Sequence, residues 1–233
     1  MRLSPKQKID SELLAKWNDE MVLKYHRNDN IPFLSRNPLL RFLEIKRLKK
    51  IIKLGNINRK DKILDLGCGE GFLISLLPKT KKIIGVDISK IALKRAKKLL
   101  KHRSDVKLCW GDAQDLKFPN NFFDKIICSE TLEHLPFPEK AMKEIHRLLK
   151  KNGIAIISIP DEKRIEFIMK IIKRLRLTKF LYSARQDINY EWHLYKTDRR
   201  FIVNISKNLF KIEKICRIPP LIGHHLIAVL RKK

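Results

Sequence analysis

With 233 residues, 44% of them hydrophobic, the chain has material for one α/β core with additions rather than for two independent cores. Its net charge of +27 leaves nucleic acid, an anionic membrane surface and an acidic small molecule open as partners, while four widely separated cysteines, Cys68, Cys109, Cys128 and Cys216, exclude a C-x-x-C zinc or redox pair. The start, Met1–Lys6, has no signal-peptide pattern and no apolar run is long enough to span a bilayer, so the expectation is a cytoplasmic protein whose contact with membrane, if any, is peripheral.

In chain order, a helix is predicted to start near Ser4-Pro5, and a clearer one at Asn37-Pro38, where an N-cap residue precedes a proline at the first helical position. Leu39, Leu40, Phe42, Leu43, Ile45, Leu48, Ile51 and Ile52 follow at helical spacing, and Gly55 is placed to end the helix. Residues 1–55 thus read as a helical extension packed on a core that occupies residues 56–233. Within that core Lys62–Leu66, Lys82–Val86, Val106–Trp110, Asp124–Cys128 and Ile154–Ile159 are short apolar runs, separated for the most part by amphipathic helical patterns. That alternation predicts right-handed βαβ units and a parallel sheet with helices on both faces.

The pattern then changes. Arg164–Arg176 is basic and amphipathic, an irregular stretch runs to Tyr195, and Thr197 is placed to cap a helix. Residues 161–196 therefore read as a basic lid or substrate segment inserted before the last two strands. Those strands, Lys211–Ile218 and His225–Arg231, are separated by Pro219-Pro220 and Gly223 and read as a closing hairpin-like pair, which makes seven strands in a mostly parallel sheet.

The most informative residues are Ile63-Leu64-Asp65-Leu66-Gly67-Cys68-Gly69-Glu70-Gly71-Phe72, an apolar strand running into a glycine-rich turn and then a helix. Such a turn lets backbone approach a ligand closely. Asp87 closes the next strand, 20 residues beyond Gly67, where a carboxylate can take both hydroxyls of a ribose. Trp110-Gly111-Asp112-Ala113 ends the third strand and places a further carboxylate and backbone amides beside them. A dinucleotide dehydrogenase would want G-x-G-x-x-G, whereas the chain reads G-x-G-x-G followed by Phe72, and Glu70 suits a cationic ligand better than a diphosphate.

These segments, with Leu132-Glu133-His134 and Leu148-Leu149-Lys150-Lys151-Asn152-Gly153, resemble the class I S-adenosylmethionine-dependent methyltransferases over roughly Asn56 to Pro160, in particular the small-molecule group of the ubiquinone-biosynthesis O-methyltransferases. The resemblance implies a Rossmann-like fold with S-adenosylmethionine as cofactor. Asp65, Gly67 and Gly69 would line its methionine end, Asp87 its ribose, and Asp112 with Ala113 its adenine, with Cys68, Gly71, Ile88 and Ser129 completing the contacts. Asn152-Gly153 departs from the family's usual pair of glycines at a turn into a strand.

Methyl transfer from a sulfonium is an in-line displacement with a good leaving group, so what remains for the protein is alignment and activation of the acceptor. A hydroxyl needs a base or a metal for this. Candidates follow the fourth strand in Ser129-Glu130-Thr131-Leu132-Glu133-His134-Leu135. The segment resembles the E-x-x-E-H of metal-dependent O-methyltransferases of the ubiquinone pathway and of small-RNA 3′ ends, in which a later histidine completes a metal site. His193 lies about as far downstream as that comparison implies. Glu130, Glu133, His134 and His193 are accordingly the candidate catalytic residues and the candidate ligands of a divalent metal such as Mg²⁺, Mn²⁺ or Zn²⁺. A packing role, or general-base chemistry without metal, remains open for the same residues.

The predicted activity is methyl transfer, at oxygen, to a small-molecule or lipid-linked acceptor. RNA is the alternative acceptor, favoured by charge. It lacks a separate binding module here, although Trp110 and Trp192 could stack bases. The charge itself does not decide, because residues 1–60 carry 15 basic against 6 acidic side chains, 61–160 carry 19 against 12, and 161–233 carry 18 against 7. A cofactor-binding protein without catalysis, seated on a membrane or RNA, is the reading from outside enzymology.

Overall fold

The computed structural model describes residues 3–25, 38–174, 193–219 and 223–233. The five apolar runs become β1 (Lys62–Leu66), β2 (Lys82–Asp87), β3 (Val106–Trp110), β4 (Phe123–Ser129) and β5 (Leu149–Pro160), and the closing pair becomes β6 (Phe210–Ile218) and β7 (His225–Lys232). They form one sheet in the order β3-β2-β1-β4-β5-β7-β6. The first five strands run parallel, and β7 lies antiparallel between β5 and β6. The sheet is the expected seven-stranded, mostly parallel one, and the direction of winding reverses between β1 and β4. At such a reversal the loops leaving the strand C-terminal ends open a crevice.

Period-two alternation divides the apolar side chains between two layers. Ile126 and Ile157 enter the layer beneath α5 (Pro138–Leu148) and α7 (Arg199–Ser206), with Phe123, Met142 and Phe210. Their neighbours Ile127 and Ile156 enter the layer beneath α2 (Pro38–Gly55) and α3 (Phe72–Leu76), with Leu48, Ile51 and Ile74. Each fully buried side chain of this size contributes about 1.5–3 kcal/mol relative to exposure. On the second face α4 (Lys90–Leu99) bridges β2 and β3, and α2 buries the apolar side of its helical repeat against the sheet.

Several local expectations move. The first helix, α1 (Ser11–Tyr25), starts well past Ser4-Pro5. Ser4 instead closes a turn onto Gln7, and Asp10 Oδ1 accepts from the Leu13 amide at 2.7 Å, an N-cap bond made by a stronger acceptor. At the end of α2 the left-handed position is taken by Asn56 (φ 43°), one residue beyond Gly55. The helix after the insertion is capped by Asp198, whose Oδ1 accepts from Phe201 N at 2.9 Å, because the Thr197 hydroxyl is buried and donates to the Pro160 carbonyl at 2.8 Å. The basic amphipathic segment forms α6 (Glu162–Arg174). Asn37, Pro220 and the stretch 175–192, with Trp192, fall outside the described residues.

Candidate active site

The crevice is built from four strand-end loops. In the first, Gly67 (φ 73°) and Cys68 both donate to the Val86 carbonyl, at 2.8 and 3.0 Å, which ties the glycine turn to β2. A Cβ on Gly67 would fall 2.2 Å from Thr131 Oγ1, so the loops after β1 and β4 pack closer than any side chain allows. A Cβ on Gly69 (φ 51°) would meet nothing within 4 Å, so at that residue the backbone borders open space. Asp87 joins this loop to the next, accepting from Gly69 N on Oδ2 at 2.7 Å and from Ser89 N on Oδ1 at 2.8 Å. Both oxygens retain lone pairs for further donors.

Asp65 sits beneath the glycine turn, and its Oδ2 has no hydrogen-bond partner among the described residues. Burial, with the Asp87 charge beside it, pushes its carboxyl up to about 8. A buried carboxyl of this kind is destabilising unless a donor or cation meets it, which fits the ammonium of a methionine. Burial also raises Asp87, against the lowering effect of the amides of Ser89, Gly69 and Ile88. Asp112 Oδ1 holds the Gln114 amide at 2.9 Å, and Trp110, half exposed, donates to the Ile88 carbonyl at 2.8 Å. Together Asp65, the open Gly69 backbone, Asp87 and Asp112 can hold the amine, backbone-facing and hydroxyl-bearing parts of the predicted cofactor.

Across these loops lies α1, part of the predicted helical extension. Ser11 Oγ donates to Asp112 Oδ2 at 3.0 Å, and Asp19 Oδ1 accepts from Ser89 Oγ at 2.5 Å and Ile91 N at 3.1 Å. Leu14 and Trp17 pack with Ile88 and Leu194. Ser11 and Asp19 are eight residues apart and so share a helix face. That spacing was visible in the sequence, but nothing along the chain showed what the face met.

The four acceptor-side candidates do not converge as one set. Glu133, His134 and His193 do: one ligand atom of each lies within 4.8 Å of the others. The rings of His134 and His193 are 5.0 Å apart, and Leu194 N donates to the Glu133 carbonyl at 2.7 Å, which fixes the incoming segment on the turn at Leu132–His134. Glu133 is fully buried, and neither carboxyl oxygen has a hydrogen-bond partner among the described residues. Burial, reinforced by the Glu130 charge, pushes its carboxyl well above the usual carboxylate range. A nearby cation would restore the carboxylate.

Glu130 is turned away from this cluster. It adopts a left-handed backbone (φ 54°), and its carboxylate accepts from Ser158 Oγ at 3.0 Å and meets His225 Nε2 at 3.0 Å and Arg47 Nη1 at 3.5 Å. Burial opposes its ionisation, yet the charges of His225 and Arg47 and the bonds from His225 and Ser158 hold the group well below the usual carboxylate range. Arg47 Nη1 also donates to Ser129 Oγ at 2.7 Å. These partners lie on α2, β5 and β7, far from Glu130 in sequence, so spacing within E-x-x-E-H carried no sign of them.

The family model for a methyltransferase domain matches residues 57–200. Among curated proteins, the demethylmenaquinone methyltransferase of Staphylococcus carnosus is 28% identical over 202 residues, covering 80% of this chain and 78% of its own length. That of Staphylococcus aureus is 28% identical over 200 residues, with 79% and 77% covered. Among solved structures, the N-methyltransferase NodS from Bradyrhizobium japonicum in complex with S-adenosyl-L-homocysteine superposes with a TM-score of 0.68 at 17% identity, over 92% of this chain and 97% of that one. The [4+2]-cyclase SpnF superposes with a TM-score of 0.72 at 14% identity, over 100% and 99%. At those identities the structures show the likeness of fold. The chain belongs to the methyltransferase-domain family and is a class I S-adenosylmethionine-dependent methyltransferase resembling the enzymes of quinone biosynthesis.

Proposed function

We propose that the enzyme methylates a ring hydroxyl of a small-molecule acceptor of the quinol kind, with Glu133, His134 and His193 as the groups that activate it. The observation that carries this is the convergence of the three side chains around a buried, unpartnered carboxyl, beside the loops assigned to the cofactor. A phenol is a poor nucleophile at neutral pH. Loss of its proton gives an oxyanion that is reactive at oxygen and, through delocalisation, at the adjoining ring carbon. We place the transfer at oxygen, and product analysis by NMR separates the ether from the ring-methylated compound. The resemblance of the curated relatives, named for demethylmenaquinone, supports a quinone-like and lipid-linked acceptor.

Asp65, Gly67, Cys68, Gly69 and Gly71 are assigned to the methionine end of S-adenosylmethionine, Asp87 and Ile88 to its ribose, Asp112 and Ala113 to its adenine, and Ser129 to the side nearest the acceptor. The carboxylate and two imidazoles also fit a divalent cation, which would supply Lewis-acid stabilisation of the oxyanion. His134→Ala and His193→Ala are each expected to lower kcat by about 10²–10⁴-fold while leaving S-adenosylmethionine affinity unchanged. Full activity in both, with a quinol acceptor and labelled cofactor, would exclude the assignment. Activity unaffected by exhaustive chelation would exclude the cation alone.

No helix among the described residues is long and apolar enough to cross a membrane. Peripheral contact with an anionic surface is supported by α6, where Phe167 (54% exposed) and Ile171 (43% exposed) stand beside the exposed Lys170 and Arg174. Vesicle co-sedimentation that needs anionic lipid, and that weakens in Phe167→Glu, checks this contact.

A further inference from the structure

We infer that Glu162 is the positioning residue for His193, fixing which ring nitrogen the imidazole presents to the acceptor site. The inference rests on the proposed role of His193, and its test separates the two.

Glu162 is the first residue of α6, two residues beyond the C-terminal end of β5, and its side chain is 5% exposed. Its Oε1 lies 2.8 Å from His193 Nδ1. The backbone that carries it is fixed on both sides. Glu162 N donates to the Thr197 carbonyl at 3.0 Å, and Asp161 N donates to the His224 carbonyl at 2.7 Å. Arg217 clamps the Asp161 carboxylate through Nε at 3.0 Å and Nη2 at 2.8 Å. A carboxylate in the first turn of a helix is also favoured by the helix dipole. The acceptor for His193 is therefore set by the core and not by the segment that delivers the histidine.

A carboxylate can only accept, so the short contact puts the proton on Nδ1. Nε2 then carries the lone pair with which His193 can take an acceptor proton or hold a cation together with Glu133 and His134. The same carboxylate stabilises the imidazolium that forms if a proton is taken. Outer carboxylates act in this way on ligating and catalytic histidines in general, and their loss costs about 10–100-fold in affinity or rate. Among the acids at the strand ends, Glu162 thus supports the cluster indirectly, while Glu130, which the sequence placed in it, is committed to Arg47, Ser158 and His225.

The test combines tautomer and rate. Long-range ¹H–¹⁵N spectra of the ¹⁵N-histidine-labelled full chain should show the neutral form of His193 with a protonated Nδ1 and a pyridine-like Nε2, a pattern lost in Glu162→Ala. That variant should lower kcat by about 10–100-fold with little change in KM for S-adenosylmethionine, and Glu162→Asp, which keeps the carboxylate, should retain part of that kcat. A neutral wild-type ring protonated on Nε2 and not on Nδ1 would overturn the inference. So would a folded Glu162→Ala that retains the tautomer, or that retains kcat while His193→Ala loses it. If the tautomer pattern responds as expected while His193→Ala keeps full activity, the positioning stands and the proposed catalytic role of His193 fails.

Discussion

Asp65, proposed to meet the ammonium of the cofactor, is buried with one carboxyl oxygen lacking a hydrogen-bond partner among the described residues. Its folded value of about 8 lies far above the unfolded value of 3.8, so its stabilising contribution is complete below pH 3.8 and is lost as pH rises through 8. Binding an ammonium needs the carboxylate, so cofactor affinity should rise up to about tenfold per pH unit between roughly pH 6 and 8 and level off above. Calorimetry in two buffers of different ionisation enthalpy should show proton release on binding in the wild type and none in Asp65→Asn. Asp87→Ala is expected to weaken S-adenosylmethionine by one to two orders of magnitude, roughly 1.4–3 kcal/mol, because hydroxyl contacts go and the Gly69 and Ser89 amides lose their acceptor. Unchanged affinity in a folded variant would remove Asp87 from the ribose assignment.

Among the elements, α1 packs on α4 and is tied by side-chain hydrogen bonds to the loops after β2 and β3 that are assigned to the cofactor, and so is expected to govern exchange rather than chemistry. Its polar ties are Ser11 to Asp112 and Ser89 to Asp19, each a hydroxyl bonded to a carboxylate and worth about 1.5–3 kcal/mol. The double variant Ser11→Ala, Asp19→Ala should speed S-adenosylhomocysteine release by about 5–50-fold, read by stopped-flow fluorescence of the buried Trp17. An unchanged release rate would mean that α1 does not cover the exit. A different tie holds α3 to β3. Arg103 grips both oxygens of Asp105 at 2.9 Å and donates to the Ile74 and Leu77 carbonyls at the end of α3. The hydrogen bond from Arg103 dominates the environment of Asp105 and holds its carboxyl at about 2. The stability this contributes is present above pH 3.8 and is lost as pH falls towards 2, so Arg103→Ala should destabilise by about 2–3 kcal/mol at pH 7 and by much less at pH 2, as urea titration would show.

For the whole molecule, the cofactor should act as a clasp between distant parts of the chain, since its assigned loops follow β1, β2, β3 and β4 and are roofed by α1. Ligand at a hundred times Kd adds about 2.7 kcal/mol, which for a chain of this size corresponds to a rise in Tm of roughly 5–10 °C in calorimetry. The strands, their mostly parallel run and the glycine-rich and acidic strand-end loops were legible in the sequence because each depends on neighbours along the chain. An apolar run with period two makes a strand, Gly67 makes a turn where a side chain would strike Thr131, and an acid at a strand end meets the crevice. Tertiary structure alone decided the rest. Ser11 meets Asp112 across 101 residues, Arg47 meets Ser129 across 82, and His225 draws Glu130 out of the E-x-x-E-H set across 95. A carboxylate's direction is set by one backbone angle and by whichever cation the fold brings within 3–4 Å, and neither is a property of the residues beside it.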